Sequence, residues 1–184
     1  MMPRRKFAAR VAIAMLATPA VLPTAFAIME SVANAQILED ALRSVGTDRC
    51  LAEATRLQQG ISTSGPWYCH LRRAGIDAAD TIAIAKAMES FSFDAVSSLV
   101  SFSQSYNRAV GDAAASALTT AFLASLRELG LVDCGIGDVG GIALLQWARK
   151  APRLQMICVD GNAFSDSVTR QFNQLGSRQL SVFV

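Results

Sequence analysis

The side chains with most chemical capacity are few: one histidine, His70, and four cysteines, Cys50, Cys69, Cys134 and Cys158. An imidazole can act as a general base near neutral pH, and a thiol of lowered pKa is a strong nucleophile. His70 has Arg72 and Arg73 beside it and no neighbouring carboxylate to orient its ring. A surface or partner-contact histidine is the simpler expectation, and His70 or Cys158 is what a small envelope enzyme would have to use. No G-x-S-x-G elbow, H-E-x-x-H pair, phosphate-binding glycine loop or paired-carboxylate signature occurs. Gly135, Gly137 and Gly140 spell G-x-G-x-x-G, which reads here as a turn into a helix rather than a dinucleotide site. The cysteine spacings of 19, 65 and 24 fit no zinc motif, so neither metal nor cofactor is expected. In an oxidising compartment four cysteines allow three connectivities. Cys50 with Cys69 is the expected bridge, tying an N-terminal helical segment to the first strand; four buried apolar thiols are the alternative.

The compartment is suggested by residues 1–35. Arg4, Arg5, Lys6 and Arg10 precede an apolar, alanine-rich run from Val11 to Ala27, broken by Pro19 and Pro23. Small-x-small sites follow at Ala25 to Ala27 and at Ala33 to Ala35, and a polar stretch begins at Gln36. This is the three-part form of an export signal, with cleavage expected after Ala35 and Ala27 as the other site. Two prolines in a run of near-minimum length argue against a membrane anchor. Arg4-Arg5-Lys6-Phe7 also resembles the twin-arginine export pattern, beside the general secretory route. The formal charge of +2 comes from this segment, so the remainder is slightly acidic and nucleic acid is not an expected partner. A chain 52% hydrophobic and only 17% charged, with mean hydropathy +0.31, suits elements that pack in layers.

Self-similarity places the remaining elements. Leu126, Leu129, Leu131, Cys134, Ile136 and Asp138 recur 28 residues later as Leu154, Ile157, Val159, Asn162, Phe164 and Asp166. Both stretches spell L-x-x-L-x-L-x-x-[NC]-x-L, and an apolar-periodic run follows each. Cys69, Leu71, Ala74 and Ile76 fit a degraded version, whereas Val100, Phe102 and Val110 fit only with about three residues inserted near Gln104 to Tyr106. Leu180 to Val184 reads as a closing strand. The pattern resembles the leucine-rich-repeat family, in its ribonuclease-inhibitor-like subclass, most strongly over 126–166. The resemblance implies an α/β fold: a short solenoid with a curved parallel sheet and helices on its outer face. Asparagine holds the ladder position only at Asn162, with Cys134 and Ala74 elsewhere.

Helices are expected over 77–91, 112–129 and 138–150, with inner faces carrying Ile82, Ala85, Ala87 and Met88, then Leu118 and Phe122, then Ile142, Leu145 and Trp147. Asp112, Asp138 and Asp166 are expected to cap the helices they precede. Residues 36–65 lack the repeat and read as a helical cap, leaving 66–184 as the repeat-bearing domain. In L-x-L the residues between the leucines point away from the core. A shared outward face would therefore hold Tyr68, His70, Arg72, Ser101, Ser103, Glu128, Gly130, Val132, Met156, Cys158 and Asp160. The resemblance implies a scaffold binding another protein through that face, and the leader implies that it is exported, periplasmic or secreted, without stable membrane insertion after signal cleavage. A structural accessory subunit is the other non-catalytic reading.

Overall fold

A computed structural model describes residues 22–60, 66–91, 99–122, 124–177 and 179–184. The basic stretch and most of the apolar run of the expected leader lie outside these residues, as does most of the loop expected at 61–66. Two helices come first, α1 (Leu22–Val45) and α2 (Asp48–Gly60), followed by alternating strands and helices. These are β1 (Trp67–His70), α3 (Ala78–Glu89), β2 (Leu99–Ser103), α4 (Gly111–Ala121), β3 (Glu128–Gly130), α5 (Asp138–Ala148), β4 (Met156–Cys158), α6 (Asp166–Leu175) and β5 (Ser181–Phe183). The strands form one sheet in chain order, every neighbouring pair parallel. Parallel neighbours need a crossover, and α3 to α6 supply one each. The helices α3 to α6 pack against one another in the same order. The fold is thus α/β, and the closing strand falls where the sequence places it.

Register explains the repeat. Cys69, Phe102, Leu129 and Ile157 are opposite one another and fully buried under the helices. Burying each large side chain of such a column stabilises by about 1.5–3 kcal/mol. The next inward column is Leu71, Gln104, Leu131 and Val159, set by backbone bonds such as Leu71 N–H to the Ser103 carbonyl and Gln104 N–H to the Gly130 carbonyl. Gln104 corrects the expected three-residue insertion: the strand runs in register through it. Its buried side chain accepts from the Thr81 hydroxyl at 3.2 Å, so a polar residue stands at a leucine position. One extra residue follows instead, between Asn107 and Val110.

Asn107 is a second ladder asparagine. Its amide donates to the Leu71 and Gln104 carbonyls, and its oxygen accepts from Gly75 N–H. Asn162 does the same one half further on, donating to Leu131 and Val159 and accepting from Cys134 and Ile136. Each asparagine therefore serves two turns, which is why the intervening positions can be Ala74 and Cys134. Burial pushes the Cys134 thiol up to about 11, and it donates to the Gln104 carbonyl at 3.3 Å.

The aspartates also cap, but one helix along. Asp77 is the N-cap of α3, in a reciprocal box with Asp80. Asp112 instead accepts from Gly137 N–H at 2.6 Å and Gly140 N–H at 3.0 Å, at the start of α5. Asp138 likewise accepts from Ser165 N–H at the start of α6. Each sits in the first turn of its own helix, and neighbouring helices lie close enough for a short carboxylate to reach across. A Cβ on Gly140 would meet Asp112 and Ile136, so that glycine permits the close approach. Asp166 does not cap α6; the Ser165 hydroxyl does, accepting from Val168 N–H.

Two helix expectations need correction. The helix expected to reach 129 ends at Ala121, because Phe122 turns extended and packs its ring between Phe102 and Trp147, at 5.7 and 4.8 Å. On α5 the buried face is Gly140, Gly141, Leu144, Leu145 and Ala148, while Ile142 is exposed and Trp147 only half-buried. At Gly140 and Gly141 a Cβ would meet Asp112 on one side and Phe164 and Val168 on the other, so these glycines let the neighbouring units approach closely. In the N-terminal segment Leu38 and Leu42 of α1 and Ala54 and Leu57 of α2 enter the same core, whereas Leu51 is exposed. Helix α1 runs unbroken through both expected cleavage sites and begins well before Gln36. Among the described residues no helix is long and apolar enough to cross a membrane.

Candidate functional site: the open sheet face and its basic rim

With the helices on one side, the sheet presents its other face to solvent. Tyr68, Ser101, Glu128, Met156 and Ser181 form one row across it, and His70, Ser103, Gly130, Cys158 and Phe183 the next. Arg72, Val132 and Asp160 follow each strand. The residues expected to share a face therefore do so, with one qualification. Ser101 is buried, because His70 Nε2 lies 2.9 Å from its hydroxyl and covers it. The middle of the face is a serine patch: Ser103 Oγ donates to Ser105 Oγ, which accepts from Val132 N–H at 3.1 Å.

The β1 end is aromatic and basic. The Arg56 guanidinium lies 4.4 Å over the Tyr68 ring, which is 5.2 Å from the His70 ring. A cation placed over an aromatic face at an exposed site stabilises by about 0.5–1 kcal/mol. Arg56 is held there by Glu53, which it meets at 2.8 Å, and it also donates to the Tyr68 carbonyl. Glu53 Oε1 accepts in addition from His70 N–H at 2.8 Å. Arg56 and Glu53 were missed by sequence reasoning because α2 lies outside the repeat.

A rim follows β1 and β2. Arg72 and Arg73 both lie over the Tyr106 ring, at 4.1 and 5.1 Å from its centroid. Arg108 is paired with Asp133 at 2.9 Å. Arg73, Tyr106 and Asp133 adopt positive φ of 52°, 66° and 50°, and Gly161 has 73°. Backbone bonds Arg73 to Ser105, Tyr106 to Val132 and Asp133 to Asp160 make these equivalent positions of successive turns. A non-glycine residue there costs on the order of 1 kcal/mol. No sequence signal marked Tyr106, because its position emerges only once Gln104 is recognised as an inward residue.

Burial raises the pKa of all four thiols. Cys158 is half-buried on the open face, and burial, with the nearby Glu128 charge, pushes its thiol up rather than down. Cys69 is raised further, by complete burial first and then by Glu53. Cys50 and Cys69 are free thiols in this structure, both fully buried where α2 meets β1. Among the described residues no three His, Cys, Asp or Glu side chains converge to hold a metal ion. At Gly137 and Gly140 the amides that would hold a dinucleotide phosphate are occupied by Asp112. Ser181 and Phe183, both exposed, extend the face by two residues of the closing strand. No protein-family model matches this chain, and no curated protein is similar to it.

Proposed function

We propose that this chain is an exported leucine-rich-repeat-like solenoid that binds another protein through its open sheet face. The observation that carries the reading is the unbroken parallel order of five strands, joined by four helices that pack against one another in the same order. It aligns outward side chains in rows, with Tyr68, His70 and Arg72 at one end and Glu128 and Asp160 towards the other. Aromatic and arginine residues are the side chains that most often anchor protein interfaces. The shared asparagine and aspartate ladders support the solenoid reading, since each links one strand–helix unit to the next. Export is supported by the basic-then-apolar N-terminus. Cleavage after Ala35 would leave Leu38 and Leu42 in place to close the core.

Photo-crosslinking tests the face directly. A benzophenone amino acid replaces Val132 on the open face, or Gln146 on the exposed side of α5, in the native host. The expected outcome is a protein adduct of one defined mass from Val132, lost in a Tyr68→Ala/Arg72→Ala background, and none from Gln146. The same adducts from both positions, or adducts from Gln146 alone, would overturn the reading.

A further inference from the structure

The structure assigns the rim around Tyr106 as a binding site for an acidic segment of the protein partner, a stretch carrying two neighbouring carboxylates. This deepens the proposed function and rests on it, since the rim borders the same face. Arg72 and Arg73 are exposed, adjacent and like-charged, yet both converge on one ring. Among the described residues neither has a carboxylate partner; the ion pairs are those of Arg43, Arg56 and Arg108. Two uncompensated guanidiniums held together repel, and a pair of carboxylates is what relieves them, each able to take a forked, charge-assisted pair of hydrogen bonds.

The backbone points the same way. Glycine costs least at the left-handed turn position, as Gly161 illustrates, but the chain places Arg73 and Tyr106 there. These two side chains, with Gly75, Ile76 and Arg108, line a shallow concavity beyond the ends of β1 and β2. Arg108 is already neutralised by Asp133, so the uncompensated charge is that of Arg72 and Arg73. The occupant is a peptide rather than an extended polyanion, because Glu128 and Asp160 are exposed further along the same face and would repel a continuous run of negative charge. A protein segment acidic at one end and neutral or basic at the other matches both regions.

The test is fluorescence anisotropy of the full chain with a labelled tetraglutamate peptide, a labelled tetralysine peptide as control, and unlabelled succinate or inorganic phosphate as competitors. We expect saturable binding of tetraglutamate only, weakened about tenfold or more by Arg72→Gln/Arg73→Gln, several-fold by Tyr106→Leu, and unchanged by Arg170→Gln on α6. Circular dichroism checks each fold. If the double variant does not fold, Arg72→Gln, which leaves the strained position intact, replaces it. Absent binding, binding unaffected by the arginine changes, or equal binding of tetralysine would overturn the proposal. Competition by succinate or phosphate as strong per mole as by unlabelled tetraglutamate would also overturn it, by showing a site for a free anion. Loss of this result with Val132 crosslinks intact removes the acidic segment alone; loss of both removes the open-face reading.

Discussion

The two edges of the sheet solve the same problem differently. On β1 the backbone groups that face away from β2 belong to Tyr68 and His70, and α2 reaches one group of each. Arg56 donates to the Tyr68 carbonyl and Glu53 accepts from His70 N–H, so two side chains take the place of a missing strand. On β5 the pairing with β4 uses Ser181 N–H and the Phe183 carbonyl. The Val182 backbone therefore points outward, and β5 touches only β4 and α6 among the described elements. An uncovered strand edge is a template for further pairing. Here it is short, at three residues, and the amphipathic α6 beside it buries only Val168 and Phe172. The lesson is that one end is closed by specific chemistry while the other is limited by the shortness of its strand.

The covered edge should be the more sensitive. Glu53→Ala leaves His70 N–H without its partner and Arg56 without its carboxylate, in a place where Glu53 is nearly buried. Arg56 is partly exposed, so water can solvate its freed charge, and the cost is mainly that of the orphaned His70 N–H, about 3 kcal/mol. The expected outcome is a large fall in the urea midpoint with exposure of the β1 edge, seen as concentration-dependent aggregation. Phe183→Ser at the open end should leave the midpoint nearly unchanged, because that ring is already 53% exposed. Equal loss at both ends would break the comparison.

The two ladder asparagines sharpen it. Asn107, at 4% exposure, serves the turns after β1 and β2; Asn162, half-buried, serves those after β3 and β4. Replacing Asn107 with Ala orphans the Leu71 carbonyl and Gly75 N–H and should cost about 3 kcal/mol. Asn162→Ala strands more groups, but water reaches them more easily, and about 2 kcal/mol is expected. Denaturant titration of both variants checks the order. A larger loss at Asn162 would mean that solvent does not reach the open half.

How much of this was legible depends on whether the chemistry is local. The strand positions from 126 to 164 were readable because Leu129 and Ile157 occupy the same inward site in successive units with apolar side chains. The unit at β2 was not, since Gln104 at the same site looks like a loop residue until its side-chain oxygen is seen to accept from the Thr81 hydroxyl. The aspartates were recognised as caps, but assigned to the nearest helix, because a single sequence carries no information about which helix start lies within reach of a carboxylate. The open face followed from alternation alone, Ser101 excepted: its burial depends on the rotamer of His70. The Arg56–Tyr68 stack and the Tyr106 rim needed contacts between segments with no shared pattern.

The smallest expected effect concerns those aspartates. Asp138 holds Ser165 N–H at the start of α6, and that bond draws its carboxyl below the ordinary value of about 3.9. A carboxyl lowered on folding adds stability above its unfolded pKa and loses it as the pH falls through the folded one. Asp166 stands in the equivalent place on α6, and no further helix follows for it to cap among the described residues. Asp138→Asn should therefore lower the thermal midpoint by a few degrees or less at pH 7 and shrink the drop between pH 5 and pH 3. Asp166→Asn should change neither. If the two variants gave the same acid limb, the contribution of Asp138 would come from its position in the first turn of its own helix. The carboxylate would then not be linking one unit to the next.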